Sequence, residues 1–453
     1  MMRDMITERN QIRISLGTWA CMILLPVLFL IYPLEALSAP SSMMGRYIVI
    51  LSDEVDSARV EGVATELVQR HQAVLEHVYT KAIKGFSASI PSHRLSLLLS
   101  DPQVNNVVED WQVEAFCHTG TQTTPTGVDR VDADLSLTAG INGIDNTLDV
   151  DIAILDTGIY THQDLNIFAS VNCTKAGGCK KVSPADKNGH GTHVAGIVAA
   201  RDNSKAVVGV APGSRLWMVK VLNDNGSGFV SWIIAGIDYV TTNASAIEVA
   251  NMSLGGSGID TGNCGMVGAT VNDPFHKAIC NSIGSGVTYT VAAGNESQDA
   301  STVTPAAYPE VITVSALADS NGQRGGGGPA TSYGADDTFA TFSNFGAVVD
   351  LIAPGVDINS TWPGDRKAPQ GYCAVLNGTS MAAPHAAGAA ALYIRSEMNK
   401  RHSRPSPAIV RDALRSAGQC PDGSVFGTTG SCATGWSGDP DGITEPLINV
   451  SGF

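Results

Sequence analysis

The chain has 453 residues, 43% of them hydrophobic and 16% charged, enough apolar material for a large core and, by length, for about two or three domains. Its 28 basic and 43 acidic residues leave a formal charge of −15, which argues against a phosphate-binding footprint and so against a nucleic-acid partner. Acidity of this kind suits a protein that stays soluble outside the cell.

Residues 1–39 have the layout of a secretory signal: Arg3, Arg9 and Arg13, an apolar run from Trp19 to Tyr32, then the small residues Ala36, Ser38 and Ala39. The run is shorter than the ~20 apolar residues of a bilayer span. Secretion is therefore expected, with no stable membrane partner; an uncleaved N-terminal anchor is the alternative.

Residues 40–118 have a different texture. RYIVIL reads as a strand, ARVEGVATELVQRHQAVLEHVY as one amphipathic helix and GFSASI as a second strand. SHRLSLLL then reads as a second helix and NVVEDWQVEAF as a closing strand. This order predicts a small α+β domain of the split βαβ kind.

Residues 119–453 alternate short apolar runs with helical patterns. VDIAIL (150–155), RLWMVKVL (215–222), IEVANMSL (247–254), GVTYTVAAG (286–294) and VITVSAL (311–317) are rich in β-branched residues and lack polar alternation. Such strands, separated by helices, predict an α/β fold with a parallel sheet covered on both faces. Sites in such sheets form at the carboxyl ends of strands, and Asp156 falls just past VDIAIL.

Three stretches along this segment carry chemistry: DTGI at 156–159, HGTH at 190–193 and GTSMA at 378–382. They supply a carboxylate, an imidazole and a hydroxyl. A hydroxyl is a poor nucleophile until an imidazole accepts its proton and a carboxylate holds that imidazole in the right tautomer. Asp156, His190 and Ser380 can fill those roles. His190 and Ser380 each open a predicted helix, where free N–H groups and partial positive charge favour a developing oxyanion. The Ser380 N–H is the first candidate donor.

The three motifs resemble those of the subtilisin-like serine peptidases, in which the order is also Asp, His, Ser. GVAPGSRLWMVKVL (209–222), NMSLGG (251–256), VAAGN (291–295), FSNFG and VDLIAPG extend the resemblance over roughly residues 120–418. It implies a subtilisin-like sheet preceded by a pro-domain that acts as an intramolecular inhibitor, removed by a cut between Phe116 and Thr124. It also implies a secreted, monomeric endopeptidase that hydrolyses proteins or peptides through an acyl-enzyme. Asn295 becomes the second oxyanion donor. Gly226, Ser227 and Gly228 on one side, and Ser253, Leu254, Gly255 and Gly256 with Ala293 and Gly294 on the other, flank an extended substrate. No cofactor is required for this chemistry, but Asp350, with carbonyls near Pro305–Ala307, matches a position where relatives bind a structural calcium.

Nine cysteines fit an oxidising compartment. With Cys21 in the signal, close spacing suggests Cys173 with Cys179, Cys264 with Cys280 and Cys420 with Cys432, leaving Cys117 and Cys373. The absence of a C-x-x-C pair argues against zinc, and His193 and His385 read as packing residues. An esterase of the α/β-hydrolase type would need G-x-S-x-G, which the chain lacks. A catalytically silent subtilase-fold binding protein would typically have lost a member of the set; every member is present.

Overall fold

The computed structural model describes residues 44–81, 83–110, 122–260, 262, 264, 273–364, 372–427 and 430–453, so the expected signal at 1–39 lies outside the described residues. The chain divides into two units, Met1–Val113 and Glu114–Phe453. Among the described residues no helix is long and apolar enough to cross a membrane.

In the first unit the order is β1 (Met44–Leu51), α1 (Val60–Arg70), β2 (Val74–Tyr79), β3 (Gly85–Pro91), α2 (Leu95–Leu99) and β4 (Val104–Glu109). The strands pair antiparallel in the order β2-β3-β1-β4, the split βαβ arrangement. Val49, Leu67, Phe86, Ile90 and Leu98 form its core. One expected element is corrected: the long helix through Tyr79 stops at Arg70. Gln72 takes a left-handed φ of 55°, and Leu75 and Val78 then pair opposite Ala88 and Phe86. Ladder pairing along β3 overrides a helical period that local sequence alone supports. The closing strand ends at Glu109, and the remainder of its expected span, 111–116, lies outside the described residues.

In the second unit a short α3 (Thr126–Arg130) leads to β5 (Asp151–Asp156), β6 (Ile167–Asn172), β7 (Lys180–Lys181), α4 (His190–Ala199), β8 (Arg215–Lys220) and α5 (Val230–Thr242). Next come β9 (Ile247–Met252), β10 (Gly256–Ser257), α6 (Pro274–Gly284), β11 (Thr288–Ala292), β12 (Val303–Thr304), β13 (Ile312–Ala318), β14 (Thr338–Phe339) and β15 (Leu351–Pro354). The hairpin β16 (Ile358–Trp362) and β17 (Tyr372–Leu376), then α7 (Thr379–Arg401) and α8 (Pro407–Ala417), complete the order. The main sheet runs β14-β13-β11-β9-β5-β8-β6-β7, with β15 beside β13. Its interior pairs are parallel, and the short edge strands β7 and β14 are antiparallel.

All six residues of β5 are buried, the physical reason its sequence shows no polar alternation. One apolar cluster joins α4 and α7 to one face of the sheet, and a second lies under α5 and α6 on the other. The chain leaves β5 toward β6 and later leaves β9 toward β11, so the connections diverge between these neighbouring strands. Ligands bind at such a switch point, beyond the carboxyl ends. Disulfides join Cys173 to Cys179, Cys264 to Cys280 and Cys420 to Cys432. Cys373 is disulfide-bonded as well, while Cys117 lies outside the described residues.

Candidate active site

Asp156 ends β5 and is fully buried, and His190 begins α4. His190 Nδ1 lies 2.8 Å from Asp156 Oδ1. A carboxylate only accepts, so Nδ1 carries the proton and Nε2 is left as the basic nitrogen. Burial pushes the imidazole pKa down, but the charge and hydrogen bond of Asp156, then the charge of Asp186, outweigh it, so the pKa is raised. The residue before this helix is Gly189 at φ 105°, where a Cβ would stand 2.4 Å from the Trp362 ring. Only glycine fits that approach.

Ser380 is the second residue of α7. Its Oγ donates to the Ser253 carbonyl at 3.3 Å, and Ser253 Oγ donates to the Ser380 carbonyl at 2.8 Å. The end of β9 thus holds the start of α7. Asn295 Oδ1 accepts from Thr379 N at 2.8 Å and from Thr379 Oγ1 at 3.0 Å, which leaves the Asn295 amide nitrogen free to donate elsewhere. A Cβ on Gly378 would lie 3.7 Å from Asn295 Nδ2 and 3.7 Å from Ser380 N. The two donors border one small space that a glycine at 378, with φ 144°, keeps open.

His190, Ser380, Gly226, Ser227, Gly228 and the run Ser253–Gly256 line one cavity of about 530 Å³. Leu222, Val230, Ile233 and Phe275 give it an apolar wall. A second cavity, of about 270 Å³, is bordered by Leu254, Gly255, Gly294, Asn295, Thr379 and Ser380.

Two expected site residues are corrected. Ala293 is fully buried, its N–H donating to Val314 O at 3.0 Å and its carbonyl accepting from Asn344 Nδ2 at 3.0 Å, so it lies behind the wall that Gly294 forms. Asp350 accepts from Arg415 Nη1 at 2.8 Å and from Thr313 N at 3.1 Å, with Arg411 Nε at 4.0 Å. Burial pushes its carboxyl up and the two guanidiniums oppose that shift. Basic side chains of α8 stand where a cation would sit, and the nearby Ala306 carbonyl accepts from Thr313 Oγ1 at 2.8 Å. These residues do not fit calcium.

Asp164 is a further acid that the motifs do not mark. It is fully buried, its pKa is pushed up to about 7 by burial, and its partners are Asn203 Nδ2 at 2.8 Å and Val207 N at 3.4 Å. Among the described residues no cationic side chain bonds it. Gln122 Oε1 accepts from Asn203 N at 2.8 Å and Asn203 Oδ1 from Lys205 N at 3.0 Å, so both amide oxygens are engaged by backbone N–H groups. Ligand atoms of Cys264, His276, Cys280 and Glu310 lie within 4.8 Å of one another, but the two sulfurs bond each other and offer no thiolate.

His193 Nε2 lies 3.0 Å from Ile358 O and 2.9 Å from Ala374 O, and His385 Nδ1 lies 2.8 Å from Met381 O. Both imidazoles hold backbone in the core. Sequence reasoning missed Thr379, which orients Asn295, and the pair Glu296 and Asn344. Glu296 Oε2 accepts from Asn295 N and from Asn344 Nδ2, each at 2.9 Å. All three lie within or beside the motif blocks, so position in those blocks was the available signal.

The chain matches the Subtilase family over residues 148–429 and a peptidase inhibitor I9 domain over residues 46–116. An extracellular serine proteinase of Thermus sp. (strain Rt41A) is 35% identical over 400 residues, covering 83% of this chain and 87% of that protein. Subtilisin E of Bacillus subtilis (strain 168) is 36% identical over 341 residues, 74% of this chain and 76% of its own length. A crystal structure of a cold-adapted subtilisin-like serine proteinase aligns with a TM-score of 0.51 and 30% identity, over 72% of this chain and 97% of that one. The chain belongs to the subtilase family. It is a serine-type endopeptidase that carries its own inhibitor domain ahead of the peptidase domain.

Proposed function

We propose that Asp156, His190 and Ser380 are the catalytic triad of a secreted endopeptidase made as a zymogen. His190 Nε2 takes the Ser380 hydroxyl proton as Oγ attacks the peptide carbonyl, and Asp156 holds the Nδ1 proton. Asn295 Nδ2 and the Ser380 N–H bond the oxyanion. His190 then gives its proton to the leaving amine, and water, deprotonated by the same ring, releases the acyl group. The observation that carries this reading is the 2.8 Å contact of His190 with Asp156 beside a cavity that His190 and Ser380 share.

A peptide would lie extended between Gly226–Gly228 and Leu254–Gly256, adding main-chain bonds, with apolar side chains entering against Val230, Ile233 and Phe275. The N-terminal 39 residues would direct export. Processed protein should react covalently with a fluorophosphonate probe and hydrolyse casein, and Ser380→Ala should abolish labelling and lower kcat on the order of 10⁶-fold, the loss known for the nucleophile of subtilisin itself. Labelling that survives Ser380→Ala contradicts the assignment.

A further inference from the structure

We propose that Asp186 is a second carboxylate serving His190, a positioning residue that ties the start of α4 to the end of β5 and adds its charge to that of Asp156. The inference rests on the reading of His190 as the general base. Asp186 is 4% exposed. Its Oδ1 accepts from Thr157 Oγ1 at 3.0 Å, Asn188 N at 3.1 Å and Gly189 N at 2.9 Å. Its Oδ2 accepts from Thr192 N at 3.0 Å and Thr192 Oγ1 at 2.7 Å. All five contacts are donors, which suits a carboxylate and not a protonated acid.

The partners are what give this group a role. Thr157 follows Asp156, Gly189 precedes His190, and Thr192 lies two residues beyond it. The two threonine hydroxyls also accept, Thr157 Oγ1 from Gly191 N at 2.9 Å and Thr192 Oγ1 from Tyr160 N at 2.9 Å. One buried carboxylate therefore fixes the spacing between the strand end that carries the acid and the helix start that carries the base. Its place at the N-terminal end of α4 is electrostatically favourable, and its charge raises the His190 pKa after the larger effects of burial and Asp156.

The other charged groups near this loop leave Asp186 alone. Lys220 Nζ donates to the Thr157 carbonyl and lies 3.1 Å from Asp224 Oδ1, and Lys187 pairs with Asp224 at 3.4 Å. His193, the next ring on α4, is pushed down to about 3 by burial and stays neutral.

The test is kcat and KM against pH for processed wild type, Asp186→Asn and Asp186→Glu. Asp186→Asn should lower kcat about ten-fold or more with KM little changed, and should move the acid limb of kcat/KM down by roughly half a pH unit. Asp186→Glu keeps the charge and should keep the limb while kcat falls. An unmoved limb in Asp186→Asn, or a loss confined to KM, overturns the proposal. Should Asp186→Asn fail to mature, the His190 ring is titrated by NMR in full-length Ser380→Ala protein with and without Asp186→Asn, and an unchanged midpoint overturns it equally. His190→Ala separates the two readings: retained activity there defeats the triad itself, whereas an inactive His190→Ala beside an unshifted Asp186→Asn defeats only this inference.

Discussion

The two units are both built from a sheet with helices, yet they bury it differently. In β1 two of eight residues are buried, whereas β11 and β13 are buried at all five and all seven positions. The first unit covers one face of its sheet and is trimmed with surface ion pairs such as Arg46 with Glu76 and Asp110, each of small value in water. The second has helices on both faces and carries the disulfides Cys173–Cys179, Cys264–Cys280 and Cys420–Cys432. The inhibitor domain is held by a thin core, and the peptidase domain by a thick one with covalent ties. That contrast suits a protein whose first part is given up and whose second part must last among active proteases.

The largest expected effect falls where the core is thinnest. Leu67 of α1 is fully buried in that core, and Leu67→Ala should cost about 2–5 kcal/mol. Calorimetry of the Ser380→Ala precursor should show an earlier transition for the first unit and an unmoved one for the second. A single shared transition, shifted as a whole, breaks the comparison. Next comes a change that sharpens it by sparing stability. Asn295→Leu removes the proposed oxyanion donor, a loss known from subtilisin to cost about 2.7–4 kcal/mol of transition-state stabilisation. Turnover should fall on the order of 10²–10³-fold while KM and both melting transitions hold; equal losses in kcat and KM contradict the role.

The smallest effect concerns the second unit alone. Asp164 has a folded pKa raised to about 7 by burial, so its protonated form favours the fold. Stability should decline as pH rises from the usual carboxylate range to about 7, and Asp164→Asn should flatten that decline, as read by melting temperature against pH. An equally steep decline in Asp164→Asn contradicts this assignment.

What could be read from the sequence was local. The DTGI, HGTH and GTSMA motifs mark strand ends and helix starts, and an unbroken apolar run such as VDIAIL marks a strand buried on both faces. Long-range relations could not be read. The partner of Asp350 is Arg415, 65 positions away, and no spacing rule links the two. The turn at Gln72 was hidden because VLEHVY satisfies both a helical and a sheet period until β3 is beside it. Asp186 sits four residues before His190 without a motif of its own, and its value appears only when five donors close around it.

From Met381 to Leu392 every residue of α7 is buried, and Ser380 stands directly ahead of that run. The proposed nucleophile is thus mounted on the head of a rod driven through the middle of the domain, not on a loop able to fray by itself. On warming, activity should survive until the domain melts and vanish with it, so a thermal-inactivation curve would report global unfolding and carry little trace of partial opening at the cleft.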